Sequence, residues 1–193
     1  MPDMRVLLLC GGRASRFGSD KLLALVKRGG ETLPMAALSA RGAIEGAGNA
    51  LAVIPPGAEK LREVLANAGC DILESEATAR GLGASLAAGV ARSRDAEGWI
   101  VALGDMPFIE PSTFASVLLA LRTGALIAAP VHRTTNARGH PVGFSRRLRD
   151  ELAALDGDEG ARAIIQSHRD YVALIPVDDN GITIDIDTRR DLP

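Results

Sequence analysis

An α/β domain built on a mostly parallel sheet is the fold class this sequence predicts, and two observations carry it. Short continuous apolar runs at residues 6–10, 51–54 and 99–103 have the length and composition of strands buried on both faces. Between them lie amphipathic or Ala-rich stretches long enough for helices, so strand and helix alternate along most of the chain. A length of 193 residues suits one fairly large domain, 1–193, and with 3% aromatic residues its core is aliphatic. The net charge of −2 and the lack of a basic stripe argue against a nucleic-acid partner. No apolar run reaches the ~20 residues that span a bilayer, which argues against a membrane. The first strand begins too early for a secretory leader. Cys10 and Cys70 show neither metal spacing nor a disulfide framework, so a cytoplasmic location is expected.

Residues 4–21, MRVLLLCGGRASRFGSDK, open the chain with a buried strand that runs into Gly11-Gly12. Two glycines at the carboxyl end of a strand permit a tight turn and a close backbone approach to a ligand. Arg13, Arg16 and Lys21 follow, so exposed N–H groups and three cations in one loop make a polyanion site, against the alternative of a merely solvated basic loop. The spacing fits neither Walker A, since Gly18 is followed by Ser19-Asp20, nor the dinucleotide fingerprint. After an apolar stretch at 22–26 and a polar turn at 27–31, Thr32 is placed to cap an Ala-rich helix from residue 33 towards 46. A strand at 51–54 is stopped by Pro55-Pro56. A helix at 58–68 then aligns Leu61, Val64, Leu65 and Ala68 on one stripe, and a weak strand follows at 70–73.

Arg80-Gly81-Leu82-Gly83-Ala84-Ser85-Leu86 opens a helix towards Arg92. Ser85 falls where helix N–H groups lack partners, which suits a second anion or base contact, although taken alone the segment fits a helix cap with spare glycines better. The strand at 99–103 ends in Gly104-Asp105-Met106-Pro107, and ligands of open α/β sheets gather outside such carboxyl ends. Asp105 fits an ordinary turn, but beside a polyphosphate loop a lone carboxylate is what Mg²⁺ requires. Pro111 and Ser112 start a helix to about Arg122, and a strand follows at 125–130. Residues 131–144 show no helical stripe and read as an excursion over the crevice. Within it His140, between Gly139 and Pro141, suits a substrate-facing role or a structural turn. A helix at 146–155 precedes Gly157-Asp158-Glu159-Gly160, where Asp158 is placed to cap a helix ending near His168. A late strand spans 171–177. In residues 182–187, Ile184 and Ile186 alternate with Asp185 and Asp187, which reads as a short strand with both carboxylates on one face.

The ordered motifs LLCGGRASRFGSDKLL, RGLGASLAAGV, GDMPFI, RGHPVGF, GDEGAR and DIDTRRDL span nearly the whole chain. In this order they resemble the MobA-like NTP transferases of molybdenum cofactor biosynthesis, most nearly the cytidylyltransferase branch. The resemblance implies a three-layer α/β/α sandwich with a Rossmann-like sheet, of the nucleotide-diphospho-sugar transferase kind. It implies an Mg²⁺-dependent transfer of NMP, with CTP favoured over GTP, to the phosphate of a molybdopterin-type acceptor with loss of pyrophosphate. A molybdoenzyme or its chaperone would be a further partner. Residue by residue, Leu9, Cys10, Gly11, Gly12, Arg16 and Lys21 would cradle the NTP, and Gly81, Gly83 and Ser85 would lie beside the nucleoside. Arg16, Lys21 and Asp105 would carry catalysis, Asp105 and Asp187 would hold the metal, and His140 and Asp158 would face the acceptor. Cys10-Gly11 departs from the Ala-Ala of the cytidylyl branch and Phe17 from its Met. The missing methyl at Gly11 suggests extra room beside the base, enough for a purine. Three alternatives stand beside this reading: a GTP-using guanylyltransferase, a sugar-1-phosphate or other small-phosphate nucleotidyltransferase, and a nucleotide-binding maturation factor without turnover.

Overall fold

In β1 (Arg5–Leu9) successive side chains point to opposite faces, and both faces are covered. Val6 and Leu8, with Cys10 just beyond, enter one core cluster, while Leu7 and Leu9 enter another. A strand that is apolar on both sides needs helices on both sides, and this arrangement supplies them. The computed structural model describes residues 4–11 and 21–187. From Lys21 the chain makes a 3-10 turn (Lys21–Leu23), a hairpin of β2 (Leu25–Arg28) and β3 (Glu31–Pro34), and helix α1 (Met35–Ala47). Next come β4 (Leu51–Ile54), α2 (Glu59–Asn67), β5 (Asp71–Glu74), a 3-10 turn (Glu76–Arg80) and α3 (Leu82–Arg92). Then follow β6 (Gly98–Leu103), α4 (Pro111–Arg122), β7 (Ile127–His132), β8 (Val142–Ser145), α5 (Arg149–Ala153), α6 (Arg162–Ser167) and β9 (Val172–Val177).

Seven strands form the main sheet in the order β5-β4-β1-β6-β8-β7-β9. Pairing is parallel except at β8, which runs antiparallel to both β6 and β7. Helices α1, α2 and α4 cover one face through residues such as Ala40, Leu65 and Phe114. Helices α3, α5 and α6 cover the other through Leu86, Leu152 and Ile164. The result is the expected α/β/α sandwich with a mostly parallel sheet. The carboxyl ends of β1 and β6, neighbours in register from Arg5↔Trp99 to Leu9↔Leu103, open on the same edge.

Four local expectations need correction. Thr32 does not cap a helix: it lies in β3, paired with Lys27 across a two-residue Gly29-Gly30 turn. The φ values of +59° and +87° at these glycines are what a tight hairpin turn demands, and Pro34, not Thr32, precedes the first turn of α1. Residues 131–144 do not all cross over the crevice, because Val142–Ser145 is a buried central strand. The helical stripe failed there because a sheet lies beneath: Gly143 faces Val117 and Leu121 of α4 so closely that any side chain would collide. Asp158 does not cap α6, whose N-cap is Ala161 with no side-chain bond. Residues 184–187 are not a strand; they follow a 3-10 turn (Asn180–Thr183) and meet the turn after β6, where Ile186 N–H donates to the Asp105 carbonyl at 3.1 Å. Ile186 is buried while Ile184 is 41% exposed, so the alternation reported one anchor and not a pleated face.

That last segment is held by Asp179, buried among polar partners. Its carboxylate accepts from Glu110 N–H (2.8 Å) and the Thr113 hydroxyl (2.7 Å) at the start of α4, and from Gly181 N–H (2.8 Å). A carboxylate remote in sequence therefore satisfies the amino end of α4, which has no local side-chain cap.

Candidate functional site

Three segments converge at the carboxyl ends of β1 and β6. The chain leaves β1 through Cys10 and Gly11, and Lys21 lies in a 3-10 turn whose Leu22 and Leu23 pack on the core. The turn after β6 presents Asp105, with Gly104 N–H bonded to the Leu9 carbonyl at 3.0 Å. Residues 184–187 bring Asp187 over the same edge.

Lys21 is the centre of this convergence. Its ammonium donates to Asp105 Oδ2 and to Asp187 Oδ1, each at 2.8 Å. The lysine is only 9% exposed. Burial by itself would lower its pKa, but the hydrogen bonds and charges of Asp105 and Asp187 outweigh this and hold it above the ordinary lysine value. It is therefore a fixed cation at any physiological pH. The two carboxylate oxygens can be no further apart than those two bonds laid end to end. Among the described residues no group of three or more His, Cys, Asp or Glu side chains converges on a metal position. A pair of carboxylates on one cation nevertheless fits the donor set of a magnesium-type ion, which takes one or two protein carboxylates and completes its shell with water and phosphate oxygens.

Below this cluster Cys10 is buried, and its thiol is pushed far above the usual range by burial, then by the neighbouring Cys70 and Asp105. It is no nucleophile. Its N–H is committed to the Val53 carbonyl at 2.9 Å, so Cys10 contributes a wall and not a donor. Gly11 is closely sided: a Cβ there would fall 2.7 Å from both Cβ and Cγ2 of Thr78 and 3.2 Å from Ser85 Oγ. The room expected from the missing methyl is therefore not open; Thr78, a residue not singled out from sequence, fills it. No sequence pattern around Thr78 signals this, because the contact is made only by the fold.

The Gly81–Ser85 turn is also more occupied than expected. Ser85 is fully buried, its hydroxyl donates to the Gly81 carbonyl at 2.8 Å, and its N–H bonds the same oxygen at 3.1 Å. Gly83 N–H donates to the Gly157 carbonyl at 2.8 Å. That carbonyl places negative partial charge where an anion would sit, so of the two ligand contacts a base fits better, while the helix-cap reading gains no side-chain cap bond at α3. Gly81, at φ +124°, has Asp158 so close that a Cβ would lie 2.2 Å from its Oδ1. Asp158 thus packs across the start of α3. Arg80 reaches the same loop through Asp156, Nε to Oδ1 at 3.0 Å.

His140 is half-buried beside β6. Its N–H donates to the Ile182 carbonyl (2.9 Å), and Nδ1 sits 3.5 Å from the Val101 carbonyl, which can only accept. Burial lowers its pKa against the opposing pull of that carbonyl and of Asp105 and Asp185, so the ring is neutral near pH 7. Two further positioning residues were not singled out. Arg28, on β2, donates to the carbonyls of Pro107 (2.6 Å) and Ile109 (3.2 Å) and fixes the loop that follows Asp105; Asp179 anchors the segment that carries Asp187. Gly12 and Arg16 lie outside the described residues.

The MobA-like NTP transferase domain matches residues 6–172. Nicotine blue oxidoreductase of Paenarthrobacter nicotinovorans is 31% identical over 113 residues, 56% of this chain and 55% of that protein. The bifunctional protein GlmU of Bradyrhizobium sp. (strain ORS 278) is 33% identical over 180 residues, 87% of this chain but only 38% of that protein. The chain thus spans about half or less of the curated relatives it matches. Among solved structures, Rv0371c from Mycobacterium tuberculosis H37Rv superposes with a TM-score of 0.82 at 28% identity, covering 98% of this chain and 94% of that one. A structure of Rv0371c in complex with manganese superposes with a TM-score of 0.77 at 24% identity, covering 98% and 95%.

Proposed function

The chain belongs to the MobA-like NTP transferase family, and on that premise we propose that it transfers CMP from CTP to the phosphate of a molybdopterin-type acceptor. The observation that carries the reading is the meeting of Lys21, Asp105 and Asp187 at one point on the carboxyl edge of the sheet. The acceptor phosphate oxygen attacks the α-phosphorus, a new P–O–P bond forms, and the bond to the β-phosphate oxygen breaks to release pyrophosphate. The acceptor is already an anion, so no general base is required. The work is to bring two anions together and steady the charge on the α-phosphate and the leaving group. Lys21, with Arg16, supplies fixed positive charge to the triphosphate. Asp105 and Asp187 are the residues that would hold a divalent cation. When bound, that cation neutralises charge on the phosphates and the leaving pyrophosphate. His140, as a neutral ring beside β6, and Asp158, across the start of α3, shape the acceptor side.

The choice of CTP is supported by Thr78. Its methyl closes the space that Gly11 would otherwise leave, and a narrower wall favours a pyrimidine over a purine. Pyrophosphate release with molybdopterin and each of CTP and GTP tests the reading. Turnover with CTP is expected, and Lys21→Ala should lower it at least tenfold, because a charge-assisted hydrogen bond to phosphate is worth roughly 1.5–3 kcal/mol. Full activity in Lys21→Ala would refute the phosphate role. Turnover with GTP alone would move the chain to the guanylyltransferases. CTP binding without pyrophosphate release would make it a maturation factor.

A further inference from the structure

We propose that the Lys21 ammonium is the resident cation of this site in the nucleotide-free protein, and that a divalent metal gains the Asp105–Asp187 position only when a triphosphate draws the lysine away. The inference rests on the reading that these two carboxylates are the metal-binding pair. One ammonium makes two 2.8 Å contacts to carboxylates separated from it by 84 and 166 residues in the chain. Those oxygens are the ones a metal would use. With the ammonium present the three groups sum to one negative charge. Adding a divalent cation beside the lysine would place like charges within a few ångströms in a partly buried site. The two cations therefore exclude each other.

The lysine can leave without disturbing the fold. Its backbone is pinned, with its carbonyl accepting from Ala24 N–H at 3.1 Å and Leu22 and Leu23 seated on the core. The four-carbon stem can swing the head from the carboxylates to a phosphate while that turn stays in place. A triphosphate offers the ammonium replacement charge-assisted bonds, and the two carboxylate oxygens it held then accept the metal. Metal and triphosphate thus bind cooperatively through one side chain, and by linkage each strengthens the other equally. Lys21 keeps free metal out of a nucleotide-free site.

Electron paramagnetic titration of Mn²⁺ into the nucleotide-free protein tests this directly. Lys21→Met should bind Mn²⁺ at least about tenfold more tightly than wild type, because a like charge has been removed. That gain should vanish in Lys21→Met combined with Asp105→Asn. Inorganic tripolyphosphate, which carries no base, should raise Mn²⁺ uptake by wild type beyond its own binding of the ion, and should do so much less in Lys21→Met. Equal Mn²⁺ affinity in wild type and Lys21→Met, lost in Asp105→Asn, would overturn the exclusion while leaving the metal pair intact. Mn²⁺–tripolyphosphate binding unchanged by both Asp105→Asn and Asp187→Asn would instead overturn the metal pair itself. The wild-type protein provides a readout that needs no variant: the ¹⁵N signal of the Lys21 ammonium should ignore Mg²⁺ alone and move when Mg²⁺ and tripolyphosphate arrive together. A shift with Mg²⁺ alone would overturn the inference.

Discussion

Gly11→Ala is the smallest change that interrogates the wall of the crevice. The added methyl would meet Thr78 Cβ and Cγ2 at 2.7 Å and Ser85 Oγ at 3.2 Å. Neither neighbour is the loose end of a long side chain. Thr78 is 6% exposed, its hydroxyl donates to the Ser75 carbonyl at 2.8 Å, and its own N–H bonds the same oxygen at 3.2 Å. Ser85 is fully buried and tied to Gly81. The backbone must yield instead, and such overpacking costs about 1–3 kcal/mol. For a chain of this size each kcal/mol lowers Tm by roughly 2–4 °C. Thr78→Ser removes Cγ2 but leaves Cβ, so it relieves one of the two closest contacts. The double variant should therefore be more stable than the sum of the single effects, by about 0.5–1.5 kcal/mol in a urea-unfolding cycle. CTP binding should weaken in Gly11→Ala and partly return in the pair. A Gly11→Ala protein as stable as wild type, or strict additivity with Thr78→Ser, would show that Thr78 does not occupy the space beside Gly11.

Two further outcomes follow from Asp179 and His140. Asp179→Ala should lower the unfolding free energy by about 2–4 kcal/mol, since it strands the Thr113 hydroxyl and two N–H groups; an unchanged urea midpoint would refute its capping role. His140 has a folded pKa below its ordinary value of 6.5, so the unfolded chain binds more protons in the window beneath 6.5. Its contribution to stability is complete above pH 6.5, falls as pH drops towards the folded pKa, and levels off below that. The slope can be no steeper than about 1.4 kcal/mol per pH unit. Urea titrations of wild type and His140→Gln between pH 5 and 8 should differ by that slope, and parallel curves would contradict it.

The strands buried on both faces were legible because continuous runs such as residues 51–54 and 99–103 leave no other use for their side chains. Helix α4 was legible for a local reason, its Pro111 start and Arg122 end. β8 was not, because Pro141 and Gly143 break the apolar pattern at the place where the sheet needs no side chain. The hairpin before α1 was hidden by an apolar and Ala-rich stretch that reads as an earlier helix start, although Pro34 marks the true boundary. At the site, Lys21, Asp105 and Asp187 stood out singly through their motifs. The pairing of Asp105 with Asp187 was expected from the resemblance, but the Lys21 ammonium lying between them was not, since it depends on where residues 184–187 return. Thr78, Arg28 and Asp179 act through backbone atoms and methyl contacts of distant segments, and such partners leave no periodicity to read.

The cluster joins residue 21 to residue 187, a separation of 166 positions, across a sheet whose strands all lie between or before them. Pairings this distant are closed late, after shorter loops have already formed. During synthesis the sheet and its helices can assemble while Lys21 still lacks its second acidic partner. A chain cut anywhere between β9 and residue 187 would keep every strand of the sandwich and yet present a half-built cation position. The crevice is armed only once residue 187 has been added, so a molecule clipped before that point cannot hold Lys21 between both carboxylates.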